Sequence, residues 1–433
     1  MKLADRGPDT DPGPGPIAGR PGGFGLAHLV LFGSLYAIQG VVISYFFNFN
    51  EEYMARAGVP AGTIGLVRSL ALLPLVLRFL GGPLSDRVNL LGLGHRRPFI
   101  VLGLAIQAAG LFGLSRVDPG SHLAGFGVLA VLAVLGLALY DTATDGMILD
   151  STTVDDRPRL QGGLVAARFF AAMATSVGFG YWLKRTGNGP GRGDAVIWAV
   201  VGLSLIPLAL QVVLREPPRR GPAEPFRWEA LGVLVRPRSL VLLAFGTLYA
   251  IVGYAVEINL SPYYRHLGYD EGAVGVLGAA RYLGRGAGAI ALGFGIGRLG
   301  RGWTLALGIA MLSASTLAQA GVAGWASAAP AAFAFGLANG WNDALFYVLA
   351  MEASDPRMPA STCALFMSVT NLSVTGGGFF ALGVSAFGGR YRPVFAVASL
   401  VVLVALALVP PLRRPVAAGK VKDDVDEPGM PDE

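Results

Sequence analysis

Cysteine is nearly absent. One residue in 433, Cys363, excludes an internal disulfide, and the four histidines, His28, His95, His122 and His266, are scattered without a His or Cys neighbour at metal-ligand spacing, so no metal site is expected. Charge is scarce as well, at 14% Asp, Glu, Lys and Arg, which is too little to clothe a water-soluble domain of this length. There is no phosphate-binding Gly-rich loop with a following Lys and Ser/Thr, and no nucleophile–base set, so neither ATP-driven chemistry nor a membrane enzyme finds its residues. The net charge of +6 does not gather with aromatics in a polar domain, so no nucleic acid is expected. No cofactor is expected either. Residues 1–23 have no apolar h-region and are rich in Pro, Gly and Asp, which reads as a disordered cytoplasmic tail instead of a signal peptide.

What the chain has in abundance is apolar surface: 53% hydrophobic residues and a mean hydropathy of +0.55. The solvent for such a chain is a lipid bilayer, and a span takes about 20 mostly apolar residues. Cutting at charged and Pro/Gly-rich loops places spans at 24–50, 61–83, 98–115, 123–149, 161–183 and 195–213, then at 239–264, 272–297, 303–321, 325–350, 360–387 and 392–412. The expected organisation is an N-terminal six-helix bundle (24–213), a basic cytoplasmic linker (214–238), a C-terminal six-helix bundle (239–412) and a second disordered cytoplasmic tail (413–433). Of the 34 Lys and Arg residues, 21 fall on the side of the two termini, 8 on the other and 5 within spans. This excess predicts a multi-pass protein of the cell (inner) membrane with both termini cytoplasmic.

A repeat supports two halves. Gly33-Ser34-Leu35-Tyr36-Ala37-Ile38 recurs as Gly246-Thr247-Leu248-Tyr249-Ala250-Ile251, and at the same offset Gly40 meets Gly253, Gly62 meets Gly275, Gly65 meets Gly278 and Arg68 meets Arg281. Two halves of like orientation make a parallel repeat about an axis along the membrane normal, a body able to rock between two open states.

Gly82-Pro83-Leu84-Ser85-Asp86-Arg87, followed by Gly94-His95-Arg96-Arg97-Pro98-Phe99-Ile100, lies between spans two and three. It resembles the cytoplasmic signature of the major facilitator superfamily, which implies an all-α fold of 12 transmembrane helices, a monomer, and a cytoplasmic gate made by Asp86, Arg87, Arg96 and Arg97. The corresponding loop of the second half, Gly297-Arg298-Leu299-Gly300-Arg301-Gly302, departs from the signature in having no aspartate. Tyr140-Asp141-Thr142-Ala143-Thr144-Asp145-Gly146 with Asp150, Arg157, Gln161 and Arg168 resembles muropeptide permeases and acetyl-CoA transporters. The Arg-rich Pro-Phe-Ile loop is similar to glycoside symporters and to bacteriochlorophyll-complex assembly proteins.

Ionisable residues at the bilayer centre cost about 2.5–3.5 kcal/mol each on insertion scales, so they face a protein interior or a wet cavity. In the first half these are Arg68, Arg78, Asp141, Asp145 and Arg168, and in the second Glu257, Arg281, Arg285 and Asp343. Asp141 and Asp145 stand one turn apart on one helix face. They form either a proton-exchanging pair or structural partners of Arg168 or Arg68. Arg281 and Arg285 are likewise one turn apart and suit an anionic cargo, or else pair with Glu257, Asp343 or carboxylates of the other half. Asn339, Trp341, Asn342 and Asp343 in span ten offer donors, acceptors and a flat ring to a polar solute, or hydrogen bonds between helices. The resulting expectation is a secondary active transporter, a proton-coupled symporter or permease for a polar or anionic small molecule. Its proton-coupling candidates are Asp141, Asp145, Glu257 and Asp343, and its substrate-binding candidates are Arg68, Tyr140, Arg168, Arg281, Arg285, Asn339, Trp341 and Asn342. A non-transporting assembly factor for pigment-protein complexes is the alternative on the same scaffold.

Overall fold

The computed structural model describes residues 26–50, 53–54, 57–88, 96–186, 193–214, 217, 227–373 and 376–414. Most of both tails, most of the linker up to Phe226 and the stretch holding His95 lie outside the described residues. The expected tail disorder falls there.

Every described element is helical. The first half comprises α1 (Leu26–Ser44), which runs on through a π-helical turn at Tyr45–Phe49, α2 (Ala61–Val76) and α3 (Gly82–Arg87), α4 (Arg97–Leu114), α5 (Leu123–Ser151), α6 (Arg157–Thr186) and α7 (Gly193–Val213). After a 3₁₀ segment at Trp228–Val235 come α8 (Pro237–His266), α9 (Glu271–Leu299), α10 (Arg301–Ala320), α11 (Trp325–Ala353), α12 (Pro359–Leu372) and α13 (Gly376–Ala386). The last span is α14 (Tyr391–Leu403), continued by a 3₁₀ turn at Val404–Leu408 and by α15 (Val409–Leu412). Among the described residues nine helices are long and apolar enough to cross a membrane by composition alone. The other three crossings are α9, with Arg281 and Arg285, α11, with Asn339 to Asp343, and the segment divided into α12 and α13. In the first two, the polar groups that lower hydropathy are those the sequence singled out.

The second span is not the single helix expected over 61–83. Pro74 removes a backbone donor from α2, and after Leu77 the chain tightens into a 3₁₀ turn, Arg78–Gly81, before α3. That turn drives Arg78 inward, where it is 4% exposed. Between α9 and α10 the connection is only Gly300, at φ +72°, a left-handed conformation that glycine adopts without Cβ strain.

With lipid as solvent, helices associate through close packing of small residues. In the second half Gly284 and Gly288 of α9 press on the backbone of α11 at Phe333 and Leu337, while Gly336 and Gly340 of α11 press on α9 at Arg281 and Arg285. In the first half Gly103 and Gly110 of α4 lock with Gly136 and Ala133 of α5, and Gly40 of α1 lies on the Arg168 carbonyl of α6. The two halves meet along α6 with α9 and along α5 and the α2–α3 segment with α12. Gly82 abuts Ser361, Gly146 abuts Ala360, and Gly162 abuts the Ala289 carbonyl. All three contacts lie toward the face that carries the α3–α4 and α11–α12 loops, and there the halves are closed upon each other.

Candidate functional site

Two charge clusters occupy the centre, one built by each half. Arg78 forks onto both acids of α5, with Nη1 2.6 Å from Asp141 and Nη2 2.5 Å from Asp145. The i, i+4 spacing of the two carboxylates matches the span of one guanidinium, which holds them together as a fork. From α1, Tyr36 donates its hydroxyl to Asp145 at 2.9 Å and Gln39 donates its amide to Asp141 at 2.6 Å. Arg168 of α6 is not the counterion of either acid. It donates to the Gln39 carbonyl at 2.5 Å and to the Tyr347 hydroxyl of α11 at 3.0 Å, with its guanidinium 4.7 Å from the Tyr36 ring centre and 5.3 Å from that of Tyr347. Arg168 therefore links the halves.

In the second half Glu257 of α8 accepts from Arg285 Nη1 through both oxygens, at 2.9 and 2.8 Å, and lies 3.4 Å from Arg281 Nε. Arg285 also reaches Asp343 of α11 at 3.2 Å and sits 4.6 Å from the Phe169 ring centre, across the boundary between the halves. Phe169 in turn stacks on Tyr282, at 6.4 Å between centres and 17° between planes.

The structure brings Asp141, Asp145 and Arg168 together in one cluster, and Glu257, Arg281, Arg285 and Asp343 in the other. It leaves several residues elsewhere. Arg68 is half-buried in α2 and is not a partner of Asp141 or Asp145; the uninterrupted α9 presents Arg281 inward, whereas the break in the second span gives that place to Arg78. Trp341 donates to the Thr304 carbonyl at 3.1 Å and Asn342 to the Gly308 carbonyl at 2.9 Å, both on α10. Asn339 bonds back to Phe335 at 2.9 Å and packs on Gly253. In this conformation these three side chains make helix-packing hydrogen bonds, the second of the two roles their residue types allowed. Tyr140 is fully buried against Gly103, and its hydroxyl has no hydrogen-bond partner among the described residues. Arg78, Tyr36, Gln39 and Tyr347 were not singled out as site residues, although Arg78 was visible as a charge within a span.

A third cluster closes the loop-bearing face. Arg96 donates to Asp86 at 2.7 Å, to Ser85 at 2.9 Å and to Asp150 at 3.0 Å. Asp86 crosses to the other half and caps the first turn of α12, accepting from the Ala360 and Ser361 amides at 3.2 and 2.8 Å and from the Ser361 hydroxyl at 2.6 Å. A carboxylate there neutralises unpaired helix N–H groups and the positive end of the helix dipole. Two of the four expected gate residues are placed differently. Arg97 caps the end of α7 through the Gln211 and Val212 carbonyls, and Arg87 is exposed at the end of α3. In the second half, Arg301 pairs with Glu352, so a counterpart exists although the loop itself has no aspartate.

A pair of six-helix lobes with opposed buried charge at the centre and a latch on one face defines a membrane carrier. The family model for the Major Facilitator Superfamily matches residues 29–270, more than half of the chain, and the chain belongs to that family of transporters. The anhydromuropeptide permease of Escherichia coli strain K12 is 24% identical over 238 residues, covering 52% of this chain and 46% of the permease; the O157:H7 protein matches to the same extent. The chain thus spans about half the length of the curated relatives it matches. Among solved structures, FucP in the outward conformation superposes with a TM-score of 0.70 at 15% identity, covering 89% of this chain and 98% of that one. The proton:xylose symporter XylE gives 0.68 at 14%, with 90% and 95% covered. The human organic anion transporter MFSD10 gives 0.67 at 14%, with 89% and 98% covered. At these identities the likeness is one of fold.

Proposed function

We propose that this protein is a secondary active transporter of the cell membrane that moves a polar or anionic small organic solute by alternating access, driven by protons. The observation that carries the reading is the meeting of two charged clusters, one from each half, across the Arg168–Tyr347 bond at the boundary along which the halves must rock. A solute bound at that boundary touches both halves and senses their relative position. The latch of Asp86 on α12 holds the loop-bearing face shut; with that face cytoplasmic, the conformation is outward-facing, which agrees with the likeness to FucP in the outward conformation. The Asp141–Asp145 pair is the proposed proton carrier, with Glu257 and Asp343 as its counterparts. Asp141→Asn is expected to abolish gradient-driven uptake in vesicles while leaving insertion and yield unchanged. Accumulation at the wild-type level would remove Asp141 from the coupling role.

The latch itself has a native reporter. Cys363, the chain's single cysteine, is fully buried in the first turns of α12, just beyond the Ser361 held by Asp86. Hydrogen bonds to a charged group contribute about 1.5–3 kcal/mol, so Asp86→Asn should raise the open population and the rate of maleimide labelling at Cys363 by roughly tenfold or more. An unchanged labelling rate would show that Asp86 does not hold the face closed.

A further inference from the structure

Four arginines and four carboxylates meet at the centre, and each half is balanced by itself: Arg78 and Arg168 with Asp141 and Asp145, Arg281 and Arg285 with Glu257 and Asp343. The pairing is nonetheless unequal. Every one of the four carboxylates is held directly by Arg78 or Arg285, each of which serves two of them. Arg168 makes no ion pair among the described residues; amide and phenol oxygens and ring faces hold it. Among the described residues the one carboxylate that Arg281 reaches is Glu257, at 3.4 Å, through an oxygen that Arg285 already occupies. Each half therefore contributes one guanidinium without a carboxylate of its own: Arg168 touches none, and Arg281 shares Glu257 with Arg285. The two are neighbours in sequence of the rings that stack across the boundary, Phe169 and Tyr282.

We infer that Arg168 and Arg281 form a two-armed receptor for one negative charge on the cargo, and that this anion crosses with one proton, so that the carrier reorients without net charge both loaded and empty. The inference rests on the transporter reading above. Empty, the eight groups sum to zero, and carrying unbalanced charge through the membrane interior is costly. A monoanion takes the sum to minus one, and a proton taken up by the Asp141–Asp145 pair returns it to zero. The coupling runs through Gln39, whose carbonyl accepts from Arg168 while its amide donates to Asp141. An anion that engages Arg168 competes with the Gln39 carbonyl for its guanidinium, and the Gln39 amide passes that change to Asp141. The pair is faced by Tyr36 and Gln39 from α1, Arg78 from the turn after α2, Arg168 from α6, Tyr347 from α11 and Cys363 from α12.

The test uses the full chain in vesicles with a trapped pH dye and a potassium–valinomycin clamp, with N-acetylmuramate, gluconate and lactate as monoanions and fucose and xylose as neutral solutes. The expected result is that at least one monoanion acidifies the lumen, one proton per anion, with an accumulation ratio indifferent to the clamp. Movement of one net charge would instead shift that ratio about fifty-fold per 100 mV, which overturns the stoichiometry. Arg168→Gln and Arg281→Gln should each abolish anion-driven acidification; a wild-type signal in either overturns the receptor. Because loss of a buried arginine also threatens folding, Asp141→Asn is the second variant: it imitates the protonated pair, so anion exchange should persist, without proton movement and without pH dependence. Loss of anion exchange in a folded Asp141→Asn protein contradicts the assignment of the proton. Counterflow of fucose or xylose with no monoanion moving overturns the anionic cargo and leaves the transporter reading standing. Failure of all five solutes with folded protein counts against both.

Discussion

Arg78→Gln should give a protein that is both inactive and the least stable of the single-charge variants. The guanidinium is 2.6 Å from Asp141 and 2.5 Å from Asp145, with the Arg78 side chain 2% exposed, so its removal leaves two carboxylates one helical turn apart with no cation between them. Removing one partner of a buried ion pair costs about 3–5 kcal/mol, because the remaining charge is stranded in a medium that solvates it poorly. Neutralising one acid at the same time should recover part of the loss: Arg78→Gln with Asp145→Asn is expected to be more stable than Arg78→Gln alone, since the double change removes a charge together with its counterion. Thermal unfolding in detergent measures both. Equal midpoints for the single and double variants would mean that the fork contributes little. On the proposed coupling, transport should remain absent in both, because Asp141 then has no cation to return to after releasing its proton.

How much of this was legible beforehand differs by element. The twelve crossings, the doubling of Tyr36 by Tyr249 and the closeness of Asp141 to Asp145 follow from apolar run lengths, repetition and helical spacing, which are local properties of the chain. The grouping of Glu257 with Arg281, Arg285 and Asp343 was within reach because few charges are found at membrane depth and each must find an opposite. Arg78 was passed over as a site residue for a physical reason: its orientation is set by a 3₁₀ turn downstream of Pro74, and uniform helical spacing through 61–83 gives no sign of that turn. Trp341 and Asn342 suited either a solute or hydrogen bonds between helices by residue type, and which side of α11 faces α10 depends on Gly284, Gly288, Gly336 and Gly340, whose interlock is tertiary. Asp86 was expected to belong to a charged gate. Its partner was not, because that partner is mainly backbone, the N–H groups at the start of α12, and backbone donors have no signature in sequence.

The interlock of α9 with α11 supports the second large effect. Gly340→Leu, on α11, should collapse the second half, whereas Gly297→Ala, on α9 but with nothing within 4 Å of an added Cβ, should be nearly neutral. A Cβ at Gly340 would overlap the carbonyl oxygen of Arg285. Backbone cannot swing aside as a side chain can, so α9 and α11 must part. Overpacking commonly costs about 1–3 kcal/mol where side chains are free to adjust, and here the obstruction is main chain, so the loss should reach or exceed the top of that range. The damage is also functional. Arg285 holds Glu257 and Asp343, and the Asp343 it holds at 3.2 Å is on α11 itself, three residues beyond Gly340. Separating the helices by even one methyl radius lengthens that pair beyond contact and releases Arg281 and Arg285 from the positions from which they face the first half. Gly340→Ala should show the graded form of the effect, with a lowered unfolding midpoint, weaker transport and unaltered membrane insertion. The readouts are the unfolding midpoint in detergent and the initial uptake rate, taken together. A Gly340→Leu protein with the wild-type midpoint would mean that close approach of these two helices does not hold the charged centre together.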